Sequence, residues 1–268
     1  MINLSYHYFE ALFFHKIFKE GLSVKVMLTS LIIPTKNEEE YIPILLESIK
    51  NQGLAPNELE VIVSDNYSTD KTREIARNYG SIVVDGGHQR VGRNNGARIA
   101  RGEILIFKDA DGPLPDNFLI PALREFNERK LDVAGTLHYP ISTKKGFATL
   151  RHKLYIEFFS NRSIQAAENT NSPLMMNCMF VRNLVHRAIG GFDETIEFGE
   201  DSEYAKRVKR AGGSFGILKT AGRVGHSMRR FEEREINALL KNIYFNAGRS
   251  LGHEFRKDKS LISYQDKK

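Results

Sequence analysis

Two carboxylates, Asp109 and Asp111, close a short apolar run, Ile104-Leu105-Ile106-Phe107-Lys108, and are followed by Gly112, Pro113 and Pro115. Glycine and proline stop regular structure, so the Asp-Ala-Asp triplet through Ala110 lies in a turn just past a buried strand. Paired hard oxygen ligands in that position suit a divalent cation beside a diphosphate. A capped turn would use the same residue types for no chemical purpose. Three other apolar runs end in polar residues: Pro34-Thr35-Lys36-Asn37-Glu38, Ser64-Asp65-Asn66-Tyr67-Ser68-Thr69-Asp70 and Asp85-Gly86-Gly87. Helix capping accounts for Ser68, Thr69 and Asp70; it accounts less readily for Asp65 and Asp109.

These runs alternate with segments of helical periodicity. Strands are expected at Leu28–Pro34, Leu59–Ser64, Ser81–Asp85 and Ile104–Phe107. Helices are expected at Glu38–Gln52, Thr69–Tyr79, about Val91–Arg101 and Asp116–Lys130, several of them closed by glycine. Such alternation specifies an α/β fold, a mostly parallel sheet flanked by helices. Right-handed connections gather the polar strand ends on one edge, the edge where open α/β sheets bind ligands. After Leu131 the pattern is less regular, with strands at Leu131–Tyr139 and Cys178–Val181 and helices at Leu150–Ser160 and Glu200–Ala211. No repeat or low-complexity linker divides the halves, so a single domain is expected.

At 268 residues, with 41% hydrophobic and 27% charged residues, the composition is that of an ordinary globular protein. The single cysteine, Cys178, excludes a disulfide framework and a cysteine-rich zinc site, and its apolar neighbours make it a core residue. The net charge of +6 is uneven: residues 223–268 carry 11 Lys/Arg against 6 Asp/Glu. That favours anionic partners, but no nucleic-acid motif accompanies it, so nucleic acid is not expected among them. No apolar stretch is long enough to span a membrane. Phe9, Leu12, Phe13, Ile17 and Phe18 recur at helical spacing among charges, so residues 1–27 read as an amphipathic helical extension. It either docks on the domain or makes a peripheral membrane contact, and it lacks the features of a secretory signal. The expected location is therefore cytoplasmic, with the inner face of the membrane as the alternative. Residues 232–268 read as a helical basic tail that could also meet a membrane.

Five segments, in order over about residues 28–231, resemble the family 2 glycosyltransferases of GT-A fold. They are Thr35-Lys36-Asn37-Glu38; Ser64-Asp65-Asn66-Tyr67-Ser68-Thr69-Asp70; Gly92-Arg93-Asn94-Asn95-Gly96-Ala97 with Ala100-Arg101-Gly102-Glu103; Lys108-Asp109-Ala110-Asp111; and Gly190-Gly191-Phe192-Asp193-Glu194 with Gly199-Glu200-Asp201. Asn66 and Tyr67 replace the usual Asp and Gly, which could reshape the loop around a base. The chain has no Trp, so the Gln-x-x-Arg-Trp motif of processive synthases is absent and single-sugar transfer is expected.

The resemblance implies an inverting, metal-dependent glycosyltransferase of glycan or glycolipid biosynthesis, with residues 28–130 binding a nucleotide-diphosphate sugar and 131–231 serving acceptor and catalysis. The donor would be a UDP-sugar ahead of a GDP-sugar, and the cofactor Mg²⁺ or Mn²⁺. Asp111 would be the direct metal ligand, Asp109 would assist nearer the ribose, and His226 would complete the metal or diphosphate site. Pro34, Thr35, Asn37 and Glu38 would line the nucleoside pocket, Asp65 would accept a hydrogen bond from the base, and Arg93 and Asn94 would meet the diphosphate at a helix start. Asp201 would be the general base, with Glu200 as second choice. Arg229 and Arg230 could reach the diphosphate from a closing loop. The acceptor would be a saccharide or lipid-linked molecule, and the basic and apolar residues between 140 and 180, Lys144, Lys145, Arg151, Phe158 and Phe159 among them, would suit a lipid-linked phosphate or lipid-linked sugar. A sugar-1-phosphate nucleotidyltransferase would need a glycine-rich basic loop after the first strand, which Pro34–Glu38 is not. A non-catalytic binder of the same fold would not need Asp109, Asp111 and Asp201 together.

Overall fold

The computed structural model describes residues 28–141, 150, 153–171, 173–175, 178–227, 229 and 255–256. The expected N-terminal extension and most of the basic tail lie outside them. Four strands expected from the sequence are present: β1 (Thr29–Thr35), β2 (Leu59–Asp65), β3 (Ile82–Asp85) and β4 (Ile104–Lys108). Helices α1 (Ile42–Lys50), α2 (Thr72–Asn78), α3 (Gln89–Ile99) and α4 (Leu119–Glu128) follow them in turn. Then come β5 (Val133–Ile141), a π-helical turn (Tyr155–Ser160) running into α5 (Asn161–Ala167), β6 (Cys178–Arg182), α6 (Asn183–Ala188), β7 (Ile196–Phe198), α7 (Glu200–Arg210), β8 (Phe215–Ser227) and β9 (Phe255–Arg256).

The main sheet has seven strands in the order β3-β2-β1-β4-β6-β5-β8. β1 to β4 and the β5–β8 pair are parallel, whereas β6 is antiparallel to both β4 and β5. Every residue of β1 and of β4 is buried, as a strand covered on both faces requires. One core layer joins Leu31, Ile33, Leu45, Phe118 and Phe180; the opposite layer joins Ile32, Leu105, Phe107, Phe192 and Tyr204. At Gly96 of α3 an added Cβ would stand 2.5 Å from Ile32 Cγ2, so only glycine lets this helix lie so close to β1.

Register places Thr35 beside Asp65 and Asp65 beside Asp85, which sets the first three polar strand ends in one row. The second half departs from expectation at β8, a thirteen-residue edge strand that was not foreseen. Its middle residues are exposed and its register with β5 shifts between Thr136 and Leu137, so it lacks clean alternation. The helix expected to end at Ser160 passes through the π-helical turn and continues to Ala167. Phe255 and Arg256, expected within a helical tail, form a strand against β7.

Candidate active site

A buried guanidinium sits at this edge: Arg93, near the middle of α3, is 2% exposed. Its Nη1 donates to Asp201 Oδ1 at 2.7 Å and Glu200 Oε1 at 2.9 Å, and its Nη2 donates to Asp109 Oδ1 at 2.9 Å. The guanidinium also lies 5.2 Å from the ring centroid of Phe192. Burial opposes the cation, but Asp201, Asp109 and Glu200 outweigh it and raise the Arg93 pKa further above its ordinary value. Arg93, expected against a diphosphate, ties the turn after β4 to the first turn of α7. There Glu200, Asp201 and Glu203 face the positive end of the helix dipole, and Gly199 supplies the left-handed entry at φ +81°.

Asp109 is held from three sides. Gln89 Nε2 donates to its Oδ1 at 2.7 Å, Arg93 occupies the same oxygen, and the fully buried Lys108 Nζ donates to its carbonyl at 2.6 Å. Asp111 differs: its Oδ1 is buried with no hydrogen-bond partner. An orphaned carboxylate oxygen is costly unless something binds it. A hard cation would satisfy it, so the residue fits the metal role expected of it. The expected trio of Asp109, Asp111 and His226 is not assembled, however. Among the described residues no three His, Cys, Asp or Glu side chains gather as a metal cluster. The His226 ring lies beside that of His138, with centroids 6.0 Å apart. Burial, reinforced by nearby His226 and Lys108, drives the His138 pKa down to about 3, so this imidazole is neutral.

The loops after β1 and β2 interlock. Asp65 is fully buried and accepts hydrogen bonds from Thr35 Oγ1 at 3.1 Å, the Ser68 amide at 2.9 Å, the Ser68 hydroxyl and Arg73 Nη1 at 3.2 Å. Asn37, at φ +53°, receives the Thr69 amide on Oδ1 at 2.9 Å and donates its own amide to Ser68 Oγ at 2.8 Å. Asp65, expected to face a base, thus already serves as the anchor of this loop pair. Pro34 is buried in β1 and Ala110 packs into the core.

Glu38 is paired in a fork with Arg229, at 2.8 and 3.1 Å, and the same guanidinium lies 4.5 Å from the Tyr41 ring centroid. Arg229 therefore joins the loop after β1 to the end of β8; Arg230 lies outside the described residues. Asn94 spans from α3 to the Gly190–Glu194 turn, donating to the Phe192 carbonyl at 3.0 Å and Glu194 Oε1 at 2.9 Å, and accepting the Phe192 amide at 2.8 Å. Asn94, expected at a diphosphate, thus also clasps α3 to this turn. Gln89 and His138 were not foreseen as site residues, and Lys108 and Phe192 were marked only as members of the Lys108–Asp111 and Gly190–Glu194 segments. Lys108 carried a further signal, a charge ending an otherwise apolar buried strand.

Comparison with known proteins agrees with this architecture. The model of the family described as Glycosyl transferase family 2 matches residues 30–187. The chain is 27% identical over 201 residues to the minor teichoic acid biosynthesis protein GgaB of Bacillus subtilis, covering 72% of this chain and 22% of that protein. It is 29% identical over 194 residues to the glycosyltransferase AglE of Haloferax volcanii, covering 68% and 62% respectively. The chain thus spans less than two thirds of the length of either relative. Among solved structures it resembles the mannosyltransferase PcManGT from Pyrobaculum calidifontis in complex with GDP-Man and Mn²⁺, with a TM-score of 0.62 and 21% identity over 75% of this chain and 56% of that one. It also resembles S. aureus TarS in complex with UDP, with a TM-score of 0.59 and 21% identity over 75% and 60%.

Proposed function

The chain belongs to glycosyl transferase family 2 and has the GT-A fold, and from that premise we propose that it transfers a single sugar, with inversion, from a nucleotide-diphosphate sugar to an acceptor hydroxyl or lipid phosphate. The observation that carries the reading is the Arg93 bridge. One buried cation joins the carboxylate turn Asp109–Asp111 to the carboxylate pair Glu200–Asp201. A donor-binding turn and a proton acceptor are thereby fixed relative to one another, the arrangement a displacement at one carbon needs. Relatives of the fold that hold GDP-Man with Mn²⁺ or UDP support this class of donor, with UDP-sugars the first choice.

Asp111 would hold the cation, Mg²⁺ or Mn²⁺, through its unpartnered oxygen. When bound, the cation supplies electrostatic stabilisation of the diphosphate as it leaves. Asp109, held on Gln89 and Arg93, fixes the turn that presents Asp111. Asp201 would accept the acceptor's proton, and Arg93 places a permanent positive charge 2.7 Å from it, which favours the ionised carboxylate before attack. Thr35, Asp65 and the rigid loop pair around them would form the nucleoside wall. Attack from the Asp201 side, opposite the diphosphate, gives inversion.

The test is a screen of UDP-, GDP- and dTDP-sugars for nucleotide release, with and without Mn²⁺. Metal-dependent release from at least one donor, lost in Asp111→Ala, is expected. Tight donor binding without turnover, whatever the acceptor, would instead point to a non-catalytic binder.

A further inference from the structure

The helical run ending at Ala167 is apolar on two sides. Ile156, Ile164 and Ala167 are buried against the domain. On its outer side Leu154, Phe158 and Phe159 are 46%, 52% and 66% exposed. Tyr155 and Phe159 stack with ring centroids 6.4 Å apart, which widens the row into a ridge. A helix apolar on both faces needs a second apolar medium on its outer side.

The charges around the ridge select that medium. Arg162 is exposed, Lys153 is partly so, and the acidic Glu157 is already paired with Arg223. Farther along, Glu168 is buried between Arg129 and Lys219. An exposed row of Leu and Phe bordered by basic groups that no acidic side chain opposes among the described residues matches the interface of a bilayer with anionic headgroups. A two-fold dimer through the same ridge would set the basic border of one copy, Lys153 and Arg162, against the basic border of the other, like charge against like.

The ridge also lies at the end of the sheet that carries the site. Asn161 brackets His138 of β5, accepting its amide at 3.0 Å and donating to its carbonyl at 2.7 Å. Gly112, next to Asp111, packs against Gly225, next to His226. We propose that Leu154, Phe158 and Phe159 dock this protein on an anionic bilayer surface, so that the site meets an acceptor carried in the membrane. The docking stands on the ridge alone; only the membrane-borne acceptor rests on the transferase reading.

Flotation of the full chain with phosphatidylcholine vesicles, with and without phosphatidylglycerol, tests this. Wild type should float with the anionic vesicles and release as salt is raised. Phe158→Ser with Phe159→Ser should lower partitioning at least about tenfold, from the apolar area withdrawn. Lys153→Glu with Arg162→Glu should abolish the preference for anionic lipid. Phe9→Ser with Phe13→Ser, in the N-terminal segment, should leave ridge-dependent flotation in place. Circular dichroism confirms that each variant is folded. The proposal is overturned by a ridge variant that floats like wild type, by a wild type that floats on neither vesicle, or by flotation lost through the N-terminal pair alone. It is equally overturned by a wild-type dimer that the ridge variant dissolves, with no vesicle binding. Donor hydrolysis is a separate readout, so a protein that hydrolyses donor without floating loses the docking surface and keeps the transferase reading.

Discussion

Replacing Arg93 by Met removes the guanidinium while keeping much of its length. The structure then leaves Asp109, Glu200 and Asp201 without their shared counter-ion, their side chains only 26%, 15% and 14% exposed. Three charge-assisted hydrogen bonds of about 1.5–3 kcal/mol each are broken. The substitution also relieves the desolvation of a 2%-exposed cation, and partial solvent access softens the repulsion among the carboxylates. The net loss expected is about 3–5 kcal/mol, the range for removing one partner of a buried pair. For a domain of this size that lowers Tm by roughly 6–20 °C. Urea unfolding followed by circular dichroism measures it. Arg93→Lys should recover only part, because one ammonium cannot fork to both sides. A double-mutant cycle with Asp201→Asn should show a coupling of about 1–3 kcal/mol. A loss under about 1 kcal/mol, or no coupling, would refute the bridge. If nucleotide affinity collapsed while stability held, Arg93 would serve the diphosphate after all.

Three further outcomes follow from the geometry. Gly112→Ala sets a Cβ 2.6 Å from the Gly225 carbonyl, so it should cost about 1–3 kcal/mol in a urea melt and weaken Mn²⁺-dependent nucleotide binding by displacing Asp111; unchanged values for both would contradict the packing. Burial, aided by Arg207 and Arg187, lowers the His186 pKa to about 4, so the unfolded chain binds the extra proton between about pH 6.5 and 4. Stability from this group is whole above about pH 6.5 and falls with decreasing pH by at most about 1.4 kcal/mol per unit; His186→Gln should flatten that slope in urea melts across the window. Asp201→Asn should retain nucleotide binding within a few-fold and lower sugar transfer by about 10²–10⁴, and transfer at the wild-type rate would remove Asp201 from the mechanism.

The first half of the sheet was legible because its strands are continuous apolar runs and two of its helices, α1 and α2, run out at Gly53 and Gly80, signals that are local in the chain. The edge strand β8 was not, because its exposed centre around Lys219–Arg223 and its register shift against β5 erase the two-residue alternation. The π-helical turn likewise has no local signature. The positions of Asp109, Asp111 and Asp201 could be marked from type and resemblance, but not their wiring. Arg93 meets Glu200 and Asp201 across more than a hundred residues of chain, and no spacing rule reaches that far. Asn94 and Asp65 show the same limit: residues expected to face a ligand are held by the loops that build the site.

The most direct test of the account is calorimetric titration of UDP and GDP into the protein with and without Mn²⁺, for wild type and Asp111→Asn. The account predicts that Mn²⁺ tightens binding of one nucleotide at least about tenfold in wild type and has no such effect in Asp111→Asn, while the apo proteins bind alike. Equal Mn²⁺ enhancement in both proteins, or no nucleotide binding by wild type under either condition, would contradict it.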